Sequence, residues 1–319
     1  RVESVEFDRL ERDTSSGFTR ATTIIALSGD GVAGRGEDVT YETGEHDPGR
    51  WADLDLSLAG EYTLDSFSTL LGERDLFPTG PEREEFRHYR RWGFESAALD
   101  LALRQAETTL GERLGRSYDP VDFVVSTRLS GVESDEPPTA DRIHRLLDRH
   151  ADLIFKLDPT PEWTSALVDD LVATGAVRTL DFKGHYEGTE VENPPDPSLY
   201  ERLLEAFPDA IAEDPALTDE VRPIIEGHED RVSWDAPITS VESIEALPFQ
   251  PSWLNIKPSR FGSIESLFGA IDYCETHDIA MYGGGQFELG VGRYHIQALA
   301  SLCYPDAPND VAPMEYNDP

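Results

Sequence analysis

The sequence predicts an α/β fold in which a parallel β/α barrel follows a smaller α+β unit. Three observations carry this. Seven short apolar runs of strand length recur after residue 120, and most are separated by segments of helical periodicity. The first 115 residues lack that rhythm and read as a hairpin followed by helices. The length, 319 residues, suits one large barrel with one smaller domain.

In chain order, ATTIIALSGDGVAGRGEDVTYE (21–42) holds two apolar runs about a Gly-Asp-Gly turn, the pattern of a β-hairpin. Residues 82–115 are helical, with Ala97, Ala98, Leu101 and Leu110 at three- and four-residue steps and Gly115 as a stop. The strand-like runs then follow as VDFVVSTRL (121–129), ADLIFKLD (151–158), AVRTLDFKG (176–184), PDAIAEDP (208–215), RVSWDAP (231–237), SWLNIKP (252–258) and DIAMYGG (278–284). Between them, TSALVDDLVATG (164–175) and SIESLFGAIDYCETH (263–277) have helical spacing. Strand alternating with helix at this pitch means βαβ units, and seven or eight of them favour a closed barrel over an open sheet.

Composition narrows the setting. There are 63 acidic and 27 basic residues, a formal charge of −36. Self-repulsion of that size opposes compaction at ordinary ionic strength, and salt near molar screens it over about 3 Å. The acids are spread along the chain and 39% of residues are hydrophobic, which excludes a disordered acidic polymer. The expected setting is the cytoplasm of a high-salt cell. Nucleic acid and anionic membrane are excluded as partners by charge, no apolar stretch is long enough to span a bilayer, and a homo-oligomer is compatible with a barrel. Two cysteines, Cys274 and Cys303, fit a reducing compartment rather than a disulfide framework.

Of the 27 basic residues only Lys156, Lys183 and Lys257 are lysine, and each ends an apolar run. A lysine can give and take a proton where arginine stays charged, so this placement suggests acid–base work rather than leftover surface charge. In parallel barrels the reacting groups gather at the C-terminal ends of the strands. Those ends read Lys156, Asp181, Glu213, Asp235, Lys257 and then Gly283-Gly284-Gly285, at intervals of 22 to 32 residues. Three carboxylates facing one opening repel unless a hard cation lies between them, Mg²⁺ before Mn²⁺ or Ca²⁺. In so acidic a chain they can equally be surface acids.

The same segments resemble the enolase superfamily. LNIKPSRFGSIESLFGAIDYC (254–274) looks like its sixth-strand lysine segment, RVSWDAPITSVESIEAL (231–247) its fifth strand, and IAEDPAL (211–217) its fourth-strand Glu-Asp/Glu-Pro motif. QFELGVGRYHIQALASL (286–302) is similar to the seventh-strand signature of the muconate cycloisomerase and o-succinylbenzoate synthase branch. GRGED and FESAALDLALRQ (94–105) resemble the capping domain. The resemblance implies a (β/α)7β TIM-type barrel (118–319) under an N-terminal α+β capping domain (1–117). It further implies Mg²⁺ (or Mn²⁺) on Asp181, Glu213 and Asp235, with Lys257 as acid or base in abstracting the α-proton of a small carboxylate substrate. Such chemistry is cycloisomerisation or syn-dehydration, a lyase or isomerase reaction.

The pattern breaks on the second strand. The branch carries Lys-x-Lys there, and this chain has Lys156-Leu157-Asp158. Lys156 keeps the first lysine, and Lys183, on the same strand face as Asp181, is the candidate to supply the missing amine from the third strand. The long connection 184–197 brings His185, a second acid/base candidate, and Tyr186 near the mouth. Arg128 and Arg260 could bind a substrate carboxylate, with Tyr186, Gln286 and Glu288 as further substrate contacts. The three glycines read as a close-approach turn at the rim rather than a phosphate cradle. The broken motif keeps three alternatives open: an acid-sugar dehydratase, a racemase or epimerase, and a non-catalytic relative that binds metal and ligand.

Overall fold

In the computed structural model the described residues are 1–14, 17–52, 54, 56–129, 137–186, 188 and 193–316. The N-terminal unit is a three-stranded antiparallel sheet, β1 (Ser4–Asp13), β2 (Thr19–Gly29) and β3 (Val32–Asp38), in that order. β2 and β3 form the expected hairpin, turning at Asp30 and Gly31, both with positive φ. β1 is absent from the sequence reading because six of the ten residues in SVEFDRLERD are charged and none is fully buried, as suits an edge strand.

The helical stretch resolves into Phe86–Gln105 and the short Leu110–Leu114, closed by Gly115 in the left-handed conformation. The long helix lies directly on β3. A Cβ at Gly34 would stand 2.0 Å from the Leu101 nitrogen, and one at Gly36 2.0 Å from the Gly93 carbonyl oxygen. The glycines of GRGED are therefore the contact surface for the helix. Around this joint Ile25, Leu27, Trp51, Phe67, Phe77 and Phe94 make a separate apolar core.

Seven parallel strands follow: β4 (Val124–Thr127), β5 (Ile154–Leu157), β6 (Val177–Asp181), β7 (Ile211–Glu213), β8 (Val232–Trp234), β9 (Trp253–Ile256) and β10 (Ala280–Gly283). They neighbour one another in sequence order from β4 to β10. Each falls inside one of the seven predicted runs. The C-terminal segment supplies the eighth stave. Val124 N–H donates to the Asn309 carbonyl at 2.9 Å, and Asp310 N–H donates to the Gly283 carbonyl at 2.7 Å. The fully buried Asn309 side chain secures this closure, accepting from Gly283 N–H at 2.6 Å and donating to the Asp122 carbonyl at 3.0 Å. The fold is the predicted (β/α)7β barrel with an α+β cap.

Alternation sorts the barrel's side chains. Phe155, Leu157, Leu180, Phe182, Leu254 and Ile256 pack outward into the large apolar core shared with the helices. The residues between them face inward and are polar. Among the described residues no helix is long and apolar enough to cross a membrane.

Candidate active site

The inward polar residues meet across the barrel. Lys156 on β5 is 1% exposed, and its Nζ donates to Glu213 Oε1 on β7 at 2.5 Å. The same amine lies 3.2 Å from Asp181 Oδ2 and 3.4 Å from Asp310 Oδ2. β5 and β7 are not neighbours, so this contact crosses the interior. Register fixes the rest: Asp181 pairs directly with Glu213 across β6 and β7. Glu213 also accepts from Asn255 Nδ2 at 3.2 Å and from the Tyr282 hydroxyl.

Asp235, fully buried just past β8, is the second centre. Lys257 Nζ donates to its Oδ2 at 2.7 Å, the Tyr186 hydroxyl to the same oxygen at 3.0 Å, and Arg260 Nε to Oδ1 at 3.1 Å. Asp214 holds it in place. That residue has φ +46°, and its carboxylate accepts from both Asp235 N–H and Ala236 N–H at 2.8 Å. A left-handed Asp is sterically costly and persists where its surroundings demand it. Gly284 completes the wall: a Cβ there would lie 2.3 Å from Asn255 Oδ1 and 2.9 Å from Lys257 Cε. The triple glycine is thus a close-approach turn.

Lys183 also takes a left-handed backbone, φ +55°. Its N–H reaches Asp181 Oδ1 at 3.2 Å, its amine bonds Asp181 Oδ2, and Asp158 Oδ1 lies 3.7 Å from that amine. Asp158 and Lys183 are thereby partners at the mouth, next to Lys156 and roughly across the barrel from Lys257. His185 stands beside the Trp234 ring, 5.6 Å between centroids, and burial lowers its pKa against the pull of Asp235. Arg260 is committed to Asp235, to the Tyr186 hydroxyl at 2.9 Å and to the Tyr89 hydroxyl at 3.4 Å. Gln286 Nε2 donates to Tyr89 at 3.3 Å, and Glu288 accepts Gln286 N–H at 2.8 Å. Both rim residues are therefore engaged by protein groups. Of the 184–197 connection, residues 187 and 189–192 lie outside the described residues.

The cap grips the same rim. Glu37 at the end of β3 accepts from the backbone N–H groups of Leu289, at 2.7 Å, Gly290, at 3.1 Å, and Gly292, at 2.7 Å. Fully buried Arg20 donates to the Gln286 carbonyl at 2.9 Å.

Electrostatics set the character of this interior. Burial works against ionising Asp235, but Arg260 and Lys257 outweigh it and hold the carboxyl far below the usual range. Burial, with Asp181 and Asp235, pushes Glu213 up to about 8 against the pull of Lys156. Burial, with the same two aspartates, pushes Asp214 up to about 7. Six carboxylates (Asp158, Asp181, Glu213, Asp214, Asp235 and Asp310) share the site with four bonded cations, Lys156, Lys183, Lys257 and Arg260. As the side chains stand, lysine amines separate the acids, and among the described residues no three His, Cys, Asp or Glu side chains close on one point. The donor chemistry nevertheless fits a hard divalent cation. Asp181, Glu213 and Asp235 are oxygen donors, fully buried on successive staves, in a site with more carboxylates than cations.

Comparison with known proteins agrees with this architecture. Models of the domain of unknown function DUF8230 match residues 1–113 as its N-terminal domain and 117–318 as its C-terminal domain. The chain belongs to the DUF8230 family. It is 22% identical over 295 residues to the o-succinylbenzoate synthase of Bacillus subtilis (strain 168), covering 82% of this chain and 74% of that one. Among solved structures, an enolase-superfamily member from Listeria innocua Clip11262 matches with TM-score 0.69 and 18% identity over 99% of this chain and 87% of its own. Muconate lactonizing enzyme from Pseudomonas putida matches with TM-score 0.69 and 18% identity, over 97% and 87%. A dipeptide epimerase from Methylococcus capsulatus, complexed with Mg ion, matches with TM-score 0.72 and 18% identity, over 97% and 89%. The homologues and structural neighbours of this DUF8230 protein are enolase-superfamily members, enzymes among them, and the structural likenesses establish its fold.

Several participants escape sequence reasoning. Asp310 comes from a tail with no strand pattern, Tyr282 and Asn255 look like ordinary strand residues, and Tyr89 belongs to the cap. Asp214 was legible only as part of the Glu-Asp-Pro string.

Proposed function

We propose that this DUF8230 protein is a Mg²⁺-dependent enzyme that abstracts the α-proton of a small carboxylate substrate, in a reaction of the cycloisomerase or syn-dehydration type. Asp181, Glu213 and Asp235 would hold the ion. When bound, it supplies Lewis-acid stabilisation of the negative charge that develops on the substrate carboxylate, several kcal/mol in comparable sites. The observation that carries the reading is the pair of buried amine–carboxylate centres in one barrel mouth, Lys156 on Asp181 and Glu213, and Lys257 on Asp235.

The side chains divide the remaining work. Lys257 takes or returns the proton on its face of the substrate, and Asp235 and Gly284 fix its amine. Lys183 presents the only other lysine amine of the outer mouth, partly exposed and anchored between Asp158 and Asp181. It serves the opposite face where Asp158 replaces an amine. Tyr89, Gln286 and the cap's hold on the rim exclude water above the site. Such a reaction needs one base, whereas racemisation or epimerisation needs both amines at matched distances. Asp158 also keeps in view a non-catalytic relative that binds metal and ligand without turnover.

Solvent-deuterium exchange into a library of carboxylic acids, with Mg²⁺ present, tests this. The expected outcome is wash-in at the α-carbon of at least one acid, abolished by Lys257→Ala and by chelation. Mg²⁺ binding without exchange into any acid would favour the non-catalytic reading.

A further inference from the structure

Every mouth cation discussed so far has a carboxylate of the protein within ion-pair distance. Arg128 does not. The register pairs Ser126 with Lys156 and Thr127 with Leu157, and Arg128 and Asp158 are the next residues of the two strands, near enough for the Arg128 charge to act on Asp158. Because Lys156 faces inward and Leu157 packs outward, alternation turns Arg128 inward as well. Its Nε and Nη1 are out of contact with solvent and have no hydrogen-bond partner among the described residues. Asp158, which feels the Arg128 charge, is bonded instead toward Lys183. Glu162, on the exposed loop after β5, also feels that charge but makes no ion pair with it among the described residues.

In a chain carrying 63 acids against 27 bases, a half-buried guanidinium whose Nε and Nη1 bond no acid among the described residues is an anomaly that a ligand explains. The geometry points to Arg128 as the anchor for a second anionic group of the substrate, across the mouth from the carboxylate held near Asp181, Glu213 and Asp235. The substrate class is then a dicarboxylate, or a carboxylate with another anion at its far end. This rests on the proposed enolate site for the position of the first carboxylate. The two staves between Arg128 and Asp181's neighbours carry Asp158 and Lys183, a charge-balanced pair that neither repels nor captures the passing chain. Arg260, the other arginine near the mouth, is already satisfied by Asp235 and two tyrosines and cannot take this role without breaking that set.

The test measures affinity rather than turnover. Succinate, glutarate, adipate and pimelate are titrated calorimetrically against the protein with Mg²⁺ at one fixed ionic strength, beside the monocarboxylates of equal length. At least one dianion is expected to bind about tenfold more tightly than its monoacid, the size of one charge-assisted hydrogen bond. Arg128→Met is expected to collapse that ratio to about twofold or less, and Arg128→Lys to keep part of it. A loss of packing alone would weaken both acids together and leave the ratio intact. Equal affinities in the native protein, no binding by any acid, or a preference that survives Arg128→Met overturns the assignment. Should Arg128→Met fail to fold, the ratio in Arg128→Lys and Arg128→Gln decides on the same terms. A dianion preference that vanishes with Arg128 while no acid exchanges deuterium would retain this assignment and remove the enolate chemistry. Exchange without dianion preference does the reverse.

Discussion

Lys156→Met isolates the electrostatic premise of the site. The native ammonium is the one cation shared by Glu213, at 2.5 Å, Asp181, at 3.2 Å, and Asp310, at 3.4 Å, and the amine and its two nearer partners are buried. Methionine keeps the length of the stem and removes the charge. Breaking a buried pair by deleting one partner costs about 3–5 kcal/mol. Glu213 is already pushed up to about 8 by burial and its acidic neighbours, so it accepts a proton readily and holds the cost near the lower figure. For a domain of this size each kcal/mol is about 2–4 °C of melting temperature, so a fall of about 6–12 °C is expected without divalent ions. The acids left behind then bind a divalent cation with less competition. Stabilisation by a ligand at a hundred times its Kd is about 2.7 kcal/mol, enough to restore most of the loss. Thermal melts of native and variant protein, with EDTA and across a Mg²⁺ titration, measure both. A variant that melts with the native protein in EDTA would refute the buried-charge argument. A variant destabilised but indifferent to Mg²⁺ would refute the metal site.

Three further outcomes follow from other contacts. Lys183→Gly removes the amine and relieves the left-handed backbone, but it takes one of two cations from buried Asp181. A loss of about 3 kcal/mol, the lower figure for a broken buried pair, is expected in urea titration because Lys156 still stands 3.2 Å away, while any exchange on the face opposite Lys257 is lost. Glu37→Ala strips an acceptor from three backbone N–H groups of the rim and is expected to cost about 2–3 kcal/mol. It would also raise KM more than it lowers kcat, read by steady-state kinetics once a substrate is in hand. The cap is expected to loosen in mild acid, read by Trp51 fluorescence against pH. Burial lowers the His46 pKa below 6.5, so its contribution is complete above that value and falls away as pH drops through the folded pKa. Burial would raise Asp38, but Arg90 and then His46 outweigh it and hold it below 3.8, so its share persists to lower pH and is lost last. Asp38→Ala, which leaves Arg90 buried without the carboxylate at 2.9 Å, moves the acid transition upward.

What sequence could show depended on whether a property was periodic or local. The seven strand runs, the helix at 86–105 and the β2–β3 hairpin all impose periods on apolar residues, and each was readable. Asp181, Glu213, Asp235 and Lys257 were readable because a parallel barrel places strand ends at one opening. The eighth stave was not, since Asn309 and Asp310 close the barrel through the Asn309 side-chain amide and one backbone bond each rather than through an apolar run. Nor could spacing reveal that Asp214 and Lys183 adopt left-handed backbones, or that the amines rather than the carboxylates occupy the space between staves. Arg128 and Arg260 looked equivalent as carboxylate binders, and only the partners of each separate them.

The scarcity of lysine acquires a physical meaning from these contacts. All three lysines lie in the barrel mouth, each bonded to a carboxylate at a stave end, while the cap's structural pairs use arginine, as in Arg90 with Asp38 and Glu45. A guanidinium suits the cap because its planar fork can satisfy Asp38, the Leu76 and Glu45 carbonyls and the faces of Trp51 and Phe77 at once. The space at Lys156 demands a compact charge, with acceptors at 2.5, 3.2 and 3.4 Å around a single nitrogen. A purely structural ion-pair network would tolerate arginine wherever room allowed, and Lys183, the least buried of the three lysines, lies at the mouth where such room is greatest. Lysine retained there, on a backbone conformation that disfavours any side chain, is the arrangement expected of an amine that must exchange a proton. Lys183→Arg therefore separates the two accounts: a structural pair survives it with stability intact and exchange unchanged, whereas an acid–base amine loses exchange alone.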